Sequence, residues 1–588
     1  MKLLRVKIND LKPFRCLQAG YEYQFRKEWD LQEENGFAPF VCAGRNGSGK
    51  SNLLEVLVAI FYHLECIYLE NRPNSFDYDE ETNPDGFQGN KAIPDGFEIE
   101  YLINASDALQ NHNNQPLAHI CIIKIPNKSP QCFHLNAQNQ DEYNEITERT
   151  VFRELLPKYI LGYSSGENEI LSLAFFKMRF IQYDEYWQAL TRQLPYPGRP
   201  ESRLVYLDSG FSQAILLCNL LFIDTDKLNP FREDIKIENL KEFRIIIRRS
   251  IEVDEKQILA FGSQDVNKHE SIEEIVKNHP ALTVIDDESP TMRFKCNLVH
   301  LLDDEETSEK IISRLKRCAT CWYLDESSDT LYLDYLVNEA TQQAFCDNFS
   351  NDPLELFHAF QVLLTLNLYT VSDRLKADLY QSESLYANET VPTLASDERI
   401  MRFKHFWVSK TDSIEPVLLK SLSDGEHQLL HTLGLCLLFK NTQSLFLLDE
   451  PETHFNPDWR ANFITRLDQC LTGSNNHEML VTTHSPFLIS DCKPEKVLVF
   501  NKADGVVSVS HPDYNTLGAS INKITMATFD KRETIGGYAQ TMLENLRQRF
   551  EQGENKQQLI TYINRQLGDS VEKVLLIKTI LDSMEEQG

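Results

Sequence analysis

Positive charge is what this 588-residue chain is short of: 59 Lys and Arg stand against 88 Asp and Glu, a formal net charge of −29. Such a surface repels nucleic acid, so any polyanion has to meet a local basic patch. Two stretches qualify, KEFRIIIRRS (Lys241, Arg244, Arg248, Arg249) and SRLKRC (Arg314, Lys316, Arg317), and each reads first as an ordinary solvated face. A cysteine framework is missing too. The 13 cysteines are scattered and odd in number, and the charged start MKLLRVKIND is not a secretory leader, which predicts a reducing, cytoplasmic setting. The single CATC (Cys318, Cys321) has no second pair nearby, so two plain thiols are expected there and not a zinc or redox centre. Long apolar runs are absent: LLEVLVAIFYHLECIYL is broken by Glu55, His63 and Glu65, and no membrane insertion is expected. Sustained heptads are absent as well, which excludes a long coiled-coil arm.

What is present is a globular pattern, with length for roughly three or four domain-sized units. LLRVKI and YEYQF alternate apolar and polar residues and predict short antiparallel strands. FAPFVCAGRNGSGKSNLLEVLVAIFYHL predicts a buried strand, a glycine-rich turn and a helix with Leu54, Leu57, Val58, Phe61 and Leu64 on one face. Residues 72–95 and NHNNQP near 111 are turn-rich and polar, and predict surface loops. His112 there has no partner at metal-ligand spacing, so an HNH-type centre is not expected at that point. From 226 to 400 the pattern reads as a compact, mostly helical and acidic insertion, with a clear helix start at Asp352-Pro353. SLFLLDEP and MLVTTH predict two further buried strands, and the stretch from 511 a polar helical tail.

GRNGSGKS matches the phosphate-loop pattern between a strand and a helix. The backbone N–H groups of Arg45, Asn46, Gly47, Ser48 and Gly49 would cradle phosphates, Lys50 would hold the β- and γ-phosphates, and Ser51 would bind Mg²⁺. Asp449, at the end of LFLLD, supplies a second magnesium ligand, and adjacent Glu450 a base for the attacking water. His484, just beyond MLVTTH, can donate to the γ-phosphate or its water. ATP and Mg²⁺ are the expected cofactors.

One pattern occurs twice. Ser164-Ser165-Gly166-Glu167 and Ser423-Asp424-Gly425-Glu426 both fit S-x-x-E, so each reads first as a helix cap. Position separates them, because only LSDGEHQ directly precedes the Asp-Glu strand. Phosphate loop, LSDGE, DEPETHFNP and TTHSP, in that order, resemble the ATP-binding cassette ATPases of the SMC, RecF and OLD type. That resemblance implies an α/β fold: an ABC-ATPase head, a P-loop mixed sheet flanked by helices with an antiparallel β subdomain. It divides the chain into an N-terminal lobe (1–225), the insertion (226–400), a C-terminal lobe (401–510) and a tail (511–588). It also implies that Ser423, Gly425 and Glu426 form the signature turn meeting ATP on the other protomer of a dimer, and that His484 is the switch histidine. Asn456 stands where cassette proteins usually carry Asp or His, Gln182 is the candidate Q-loop glutamine, and the YSSGENE turn is assigned to a helix cap near the nucleotide.

More narrowly, YSSGENEILS, LSDGEHQLLHTLG and LLDEPETHFNPDWR resemble restriction-system-associated ATPases and PtuA, the ATPase of Septu and some retron anti-phage systems. The partners implied are a second copy of the chain, in a dimer or higher oligomer, and a separately encoded effector such as an HNH nuclease. In retron systems a reverse transcriptase and its nucleic acid join them. A RecF- or SMC-type DNA clamp is the alternative, and an OLD-type nuclease a weaker one, since the tail shows no strand-end Glu followed by Asp-x-Asp.

Overall fold

The computed structural model describes the chain apart from residues 28–36, 71–72, 74–75, 77–93, 105–116, 136–142, 166–170, 223–227, 263–269, 286–291, 304–309, 383–390, 392, 474–476, 531–534 and 586–588. His112 and most of the two predicted polar loops therefore lie outside the described residues.

A seven-stranded sheet organises the molecule. Its strands, in spatial order, are Val506–Ser510, Val497–Ala503, Phe40–Gly44, Glu478–Thr483, Ser444–Asp449, Tyr159–Ser164 and Leu204–Tyr206. Every neighbouring pair is parallel except the first, an antiparallel edge hairpin. The central strands are apolar almost throughout because both faces are covered. In SLFLLD, Phe446 and Leu448 point into one core while Leu445 and Leu447 point into the other.

On the second of those faces lies the helix Lys50–Tyr68, and beyond it a six-stranded antiparallel sheet. LLRVKI and EYQ pair there as their alternation predicts, Arg5 opposite Gln24 and Lys7 opposite Glu22. The helix buries more than the single face expected of it: Val56, Ile60 and Tyr62 are as enclosed as Leu54, Leu57 and Phe61. A sheet on either side leaves no wet face, so the amphipathic pattern is weak. Among the described residues this helix is long and apolar enough by itself to cross a membrane, and that composition is accounted for by its burial between sheets.

Among the described residues the 226–400 segment is helical over more of its length than it is extended, yet it also supplies six strands. Three of them, Ile237–Arg248, Thr330–Leu336 and Cys321–Asp325, join Met401–Lys410 and Val417–Leu418 in one five-stranded antiparallel sheet. The strand content was hidden because KEFRIIIRR combines a triple-isoleucine run with flanking cations, a sequence lacking strict alternation. Ile245, Ile247, Phe357 and Phe360 share a continuous core with Leu429, Leu433, Phe446 and Val481. The basic stretches meet acids on this framework. Arg244 reaches Asp334 at 2.5 and 2.8 Å, Arg314 reaches Glu355 at 2.5 Å, and Arg249 and Lys316 stand 3.7 and 3.8 Å from Asp303. Cys318 is buried at a helix end with its thiol on the Ala344 carbonyl, and Cys321 opens an exposed strand. The last three helices, Gly537–Glu551, Lys556–Gln566 and Val571–Glu585, close a small core of their own around Leu546, Leu559, Ile563 and Ile580.

Candidate functional site

The phosphate loop begins where Phe40–Gly44 leaves the sheet. Gly44 has φ 146°, and a β-carbon there would lie 2.5 Å from the Phe500 carbonyl oxygen, so only glycine allows this turn against the neighbouring strand. Gly49, at φ 103°, delivers the chain into the helix, and no side chain caps that helix. Its first N–H groups, with their partial positive charge, remain free for an anion. The Ser48 hydroxyl beside them is buried with no hydrogen-bond partner. Asn46 and Gly47 are exposed at the loop tip. Arg45 turns away, its guanidinium bonding the Phe529 carbonyl at 3.2 Å and Asp530 at 3.0 Å.

Lys50 is 5% exposed. Its ammonium lies 3.1 Å from the Gly44 carbonyl oxygen, 3.2 Å from that of Arg45 and 3.0 Å from His484 Nε2. None of these is an anion. Burial lowers the lysine pKa, opposed by the charges of Glu450 and Asp449. An orphaned hydroxyl, an uncapped helix start and an enclosed cation resting on neutral partners form a site that fits the phosphates of ATP.

Asp449 is 1% exposed at the end of its strand. One carboxylate oxygen accepts from Ser51 at 2.7 Å and Thr482 at 2.6 Å, and the other from Ser164 at 3.3 Å. Burial raises its pKa, the hydroxyls of Thr482, Ser51 and Ser164 pull it back, and the Glu450 charge pushes it up again. The Ser51 hydroxyl and the Asp449 carboxylate are a hard oxygen pair suited to Mg²⁺. Glu450 follows at φ 48°, a left-handed conformation that costs a side-chain-bearing residue about 1–2 kcal/mol. Its N–H bonds to Thr482, 3.2 Å to the carbonyl and 3.0 Å to the hydroxyl, which keeps the residue in that turn. The carboxylate is thereby directed at His484, with Oε1 3.3 Å from Nε2. The hydrogen bond from His484, against burial and with the charges of His484 and Lys50, holds Glu450 below the usual carboxylate range. Since Nε2 carries at most one proton, it either accepts from Lys50 or donates to Glu450.

The two echoing turns come apart here. Ser423 caps the helix Asp424–Phe439 in a complete capping box: its hydroxyl accepts from the Glu426 N–H at 3.4 Å, and Glu426 accepts from the Ser423 N–H at 2.8 Å. Lys410 holds Glu426 at 2.8 Å. Gly425 abuts the loop after Glu450, since a β-carbon would come 2.8 Å from the His454 carbonyl oxygen. Within one chain Ser423 and Glu426 bond to each other and to Lys410, and not to Lys50. Ser164 ends a strand in register with Asp449 and so caps no helix, Ser165 bonds Thr453 through its hydroxyl at 2.9 Å, and the next helix among the described residues is Leu173–Thr191. LGYS is drawn into the parallel ladder beside LLD, which overrides the capping pattern; Gly166 and Glu167 lie outside the described residues.

Gln182 sits within the helix Leu173–Thr191, bonded to Ser202 at 2.6 Å, and takes no part in the cradle. Asn456 caps the helix Pro457–Leu471, accepting from the Trp459 N–H at 2.8 Å, a role that amide and carboxylate share. Thr482 and Glu452 are the site neighbours that sequence reasoning passed over, and Ser164, read as part of a helix cap, bonds Asp449 from a strand end. The double threonine before His484 and the third acid in LLDEPE were the available signals. Glu452 is 4% exposed, with one oxygen on the Thr483 hydroxyl and the other without a hydrogen bond, and burial pushes its pKa up to about 7.

Comparison with known proteins adds three findings. Residues 241–490 match the family described as "AAA domain, putative AbiEii toxin, Type IV TA system". Protein ea59 of Escherichia phage lambda is 27% identical over 127 residues, covering 22% of this chain and 24% of that protein. The chain thus matches about a quarter of that curated relative's length. Among solved structures, the SMC head domain from Thermotoga maritima is 10% identical, covering 87% of this chain and all of that one at a TM-score of 0.30. The Smc head domain with an extended coiled coil, bound to the C-terminal domain of ScpA derived from Pyrococcus furiosus, is 12% identical, covering 93% and 99% at 0.29. The family match takes in Ser423, Asp449, Glu450 and His484 and leaves the phosphate loop upstream, so residues 241–490 are similar to an AAA-type domain while the loop that packs against them comes from earlier in the chain.

Proposed function

We propose that this protein binds and hydrolyses Mg-ATP, pairs head to head around the bound nucleotides, and through that cycle regulates a separately encoded effector, a nuclease, in bacterial anti-phage defence. The observation that carries the ATPase reading is the meeting of Lys50, Ser51, Asp449, Glu450 and His484 at the carboxyl ends of adjacent parallel strands, where open α/β sheets take their ligands.

Bound Mg-ATP supplies the phosphoanhydride and the negative charge the cradle is built to balance. Lys50, released from two carbonyls and His484, would hold phosphate oxygens, and Ser51 and Asp449 would hold the magnesium ion. Glu450, ionised at neutral pH, accepts the proton of the attacking water. His484, released by Lys50, donates to Glu450 or to the transferring phosphoryl group. Ser423, exposed at a helix start, is positioned to offer its hydroxyl and the neighbouring N–H groups to the γ-phosphate held by a second copy.

The defence and effector part rests on the resemblance of YSSGENEILS, LSDGEHQLLHTLG and LLDEPETHFNPDWR to PtuA-type ATPases. Its test is a phage challenge of cells expressing the chain with the proteins encoded beside it. Protection is expected with the native chain and not with Lys50→Ala or Glu450→Gln. Protection indifferent to both substitutions refutes the reading, and salt-dependent binding of plain duplex by the purified chain would favour a RecF- or SMC-type clamp instead.

A further inference from the structure

The strand Tyr159–Ser164 has chemistry at both ends. Its carboxyl end meets Asp449; its amino end opens on a separate cavity of about 410 Å³, within the size range of small-molecule sites. At about 3.3 Å per residue the strand puts the two ends roughly 16 Å apart.

Four cations line this cavity: Arg153, Lys158, Arg199 and Arg203. Two are occupied. Arg153 pairs with Glu201 at 2.8 Å and Glu70 at 3.4 Å, and Arg203 donates to the Arg153 carbonyl at 2.6 Å. Lys158 and Arg199 are exposed, meet no carboxylate and make no side-chain hydrogen bond among the described residues. Burial, then the charges of Arg203 and Arg199, lower the Lys158 pKa, so these cations crowd one another. The third acid on the wall does not relieve them: Glu185 accepts the Glu201 N–H at 3.1 Å, and burial drives its pKa to about 8, leaving it mostly neutral at pH 7. His358, 2.9 Å from the Tyr159 hydroxyl, is kept neutral by burial and by the same two cations, its pKa lowered to about 4.

An independent feature points into the same space. Gln361, on the helix Pro353–Thr365, is 3% exposed and lines the cavity, and its side-chain amide bonds to nothing among the described residues. The amide is not sealed off, so a donor and an acceptor are available to whatever fills the cavity. Leu194, Pro195, Tyr196 and Pro197 supply the apolar part of the lining.

We propose that this cavity binds a phosphate monoester of nucleotide size, its phosphate between Lys158 and Arg199, its polar groups on Gln361 and its ring against the Leu194–Pro197 wall. A phosphate monoester carries about −1.5 to −2 near neutral pH and matches two unpaired cations, which a carboxylate does not. The site lies outside the Lys50 cradle and makes no use of it.

The test is calorimetric titration of the full chain carrying Lys50→Ala, which disables the first phosphate site, with AMP, pyrophosphate and inorganic phosphate. AMP is expected to bind, more tightly than inorganic phosphate, and to weaken at least tenfold when Lys158→Glu and Arg199→Glu are added. Arg199→Gln alone, which removes charge without reversing it, is expected to weaken AMP threefold or more and serves if the double reversal unfolds the protein. Absence of AMP binding to the Lys50→Ala protein, or binding unchanged by the substitutions at 158 and 199, would overturn the site. Inorganic phosphate binding as tightly as AMP would overturn the ester as its occupant.

Discussion

Glu452→Gln tests how the strands beneath the nucleotide are tied together. Glu452 follows the Asp-Glu pair in sequence and reaches across to the Thr483 hydroxyl on the adjacent strand, so it links the acid strand to the one that ends just before His484. Burial, reinforced by the Glu450 charge and opposed by Thr483, raises its pKa from 4.5 to about 7. The folded state therefore holds this proton more tightly than the unfolded chain does. The resulting stabilisation is complete below pH 4.5, is lost as pH rises towards 7, and does not change further once both states are ionised. At about 1.4 kcal/mol per pH unit, that window amounts to roughly 3 kcal/mol. Glutamine reproduces the neutral acid, keeps an acceptor for Thr483 and cannot ionise. Denaturation midpoints of the two proteins should then nearly coincide at pH 5 and separate progressively, with the variant the more stable by up to roughly 3 kcal/mol at pH 8. A gap independent of pH, or one that widens towards pH 5, would refute the burial argument.

Lys50→Ala should weaken ATP binding by roughly a hundredfold or more, as the charge-assisted bonds to the phosphates are lost, and nucleotide titration reads this directly. Glu450→Gln should slow hydrolysis by roughly 10²–10⁴-fold while Mg-ATP still binds, so that light scattering finds ATP-bound dimers accumulating. Ser423→Arg should leave binding to one chain intact and prevent ATP-driven dimerisation. Ser165→Arg, by contrast, replaces a hydroxyl that bonds Thr453 next to Asp449, and should depress hydrolysis in the single chain as well; nucleotide binding and turnover measured on both variants separate the two turns.

The parts of this fold that could be read in the sequence are those where one local rule acts alone. GRNGSGKS combines glycines at left-handed positions with a helix that begins uncapped, and no tertiary contact is needed to recognise it. SLFLLD and MLVTT are apolar on both faces because they lie mid-sheet, and their polar ends mark where the sheet meets solvent. What escaped reading depends on partners remote in the chain. Ile237–Arg248 is a strand because Thr330–Leu336 and Met401–Lys410 flank it, 82 or more positions downstream of its closest end. The amide of Gln182 reads equally well as a phosphate sensor, and only the position of Ser202 shows it to be a core hydrogen bond.

The repeated Ser-x-Gly-Glu pattern shows why position outranks pattern. Both copies carry the hydroxyl and the glutamate a capping box needs, but a cap forms only where the chain is free to enter a helix. At Ser423 it is: the preceding residues form a short turn, Lys410 fixes the glutamate, and the Ser423 hydroxyl takes the Glu426 N–H. At Ser164 the preceding residues are already committed, since Tyr159 to Ser164 pair one for one with Ser444 to Asp449. The ladder carries the hydroxyl to Asp449 instead, 3.3 Å from its carboxylate. The same pattern thus ends a strand beside the Asp449 carboxylate in one copy, and in the other starts the helix Asp424–Phe439.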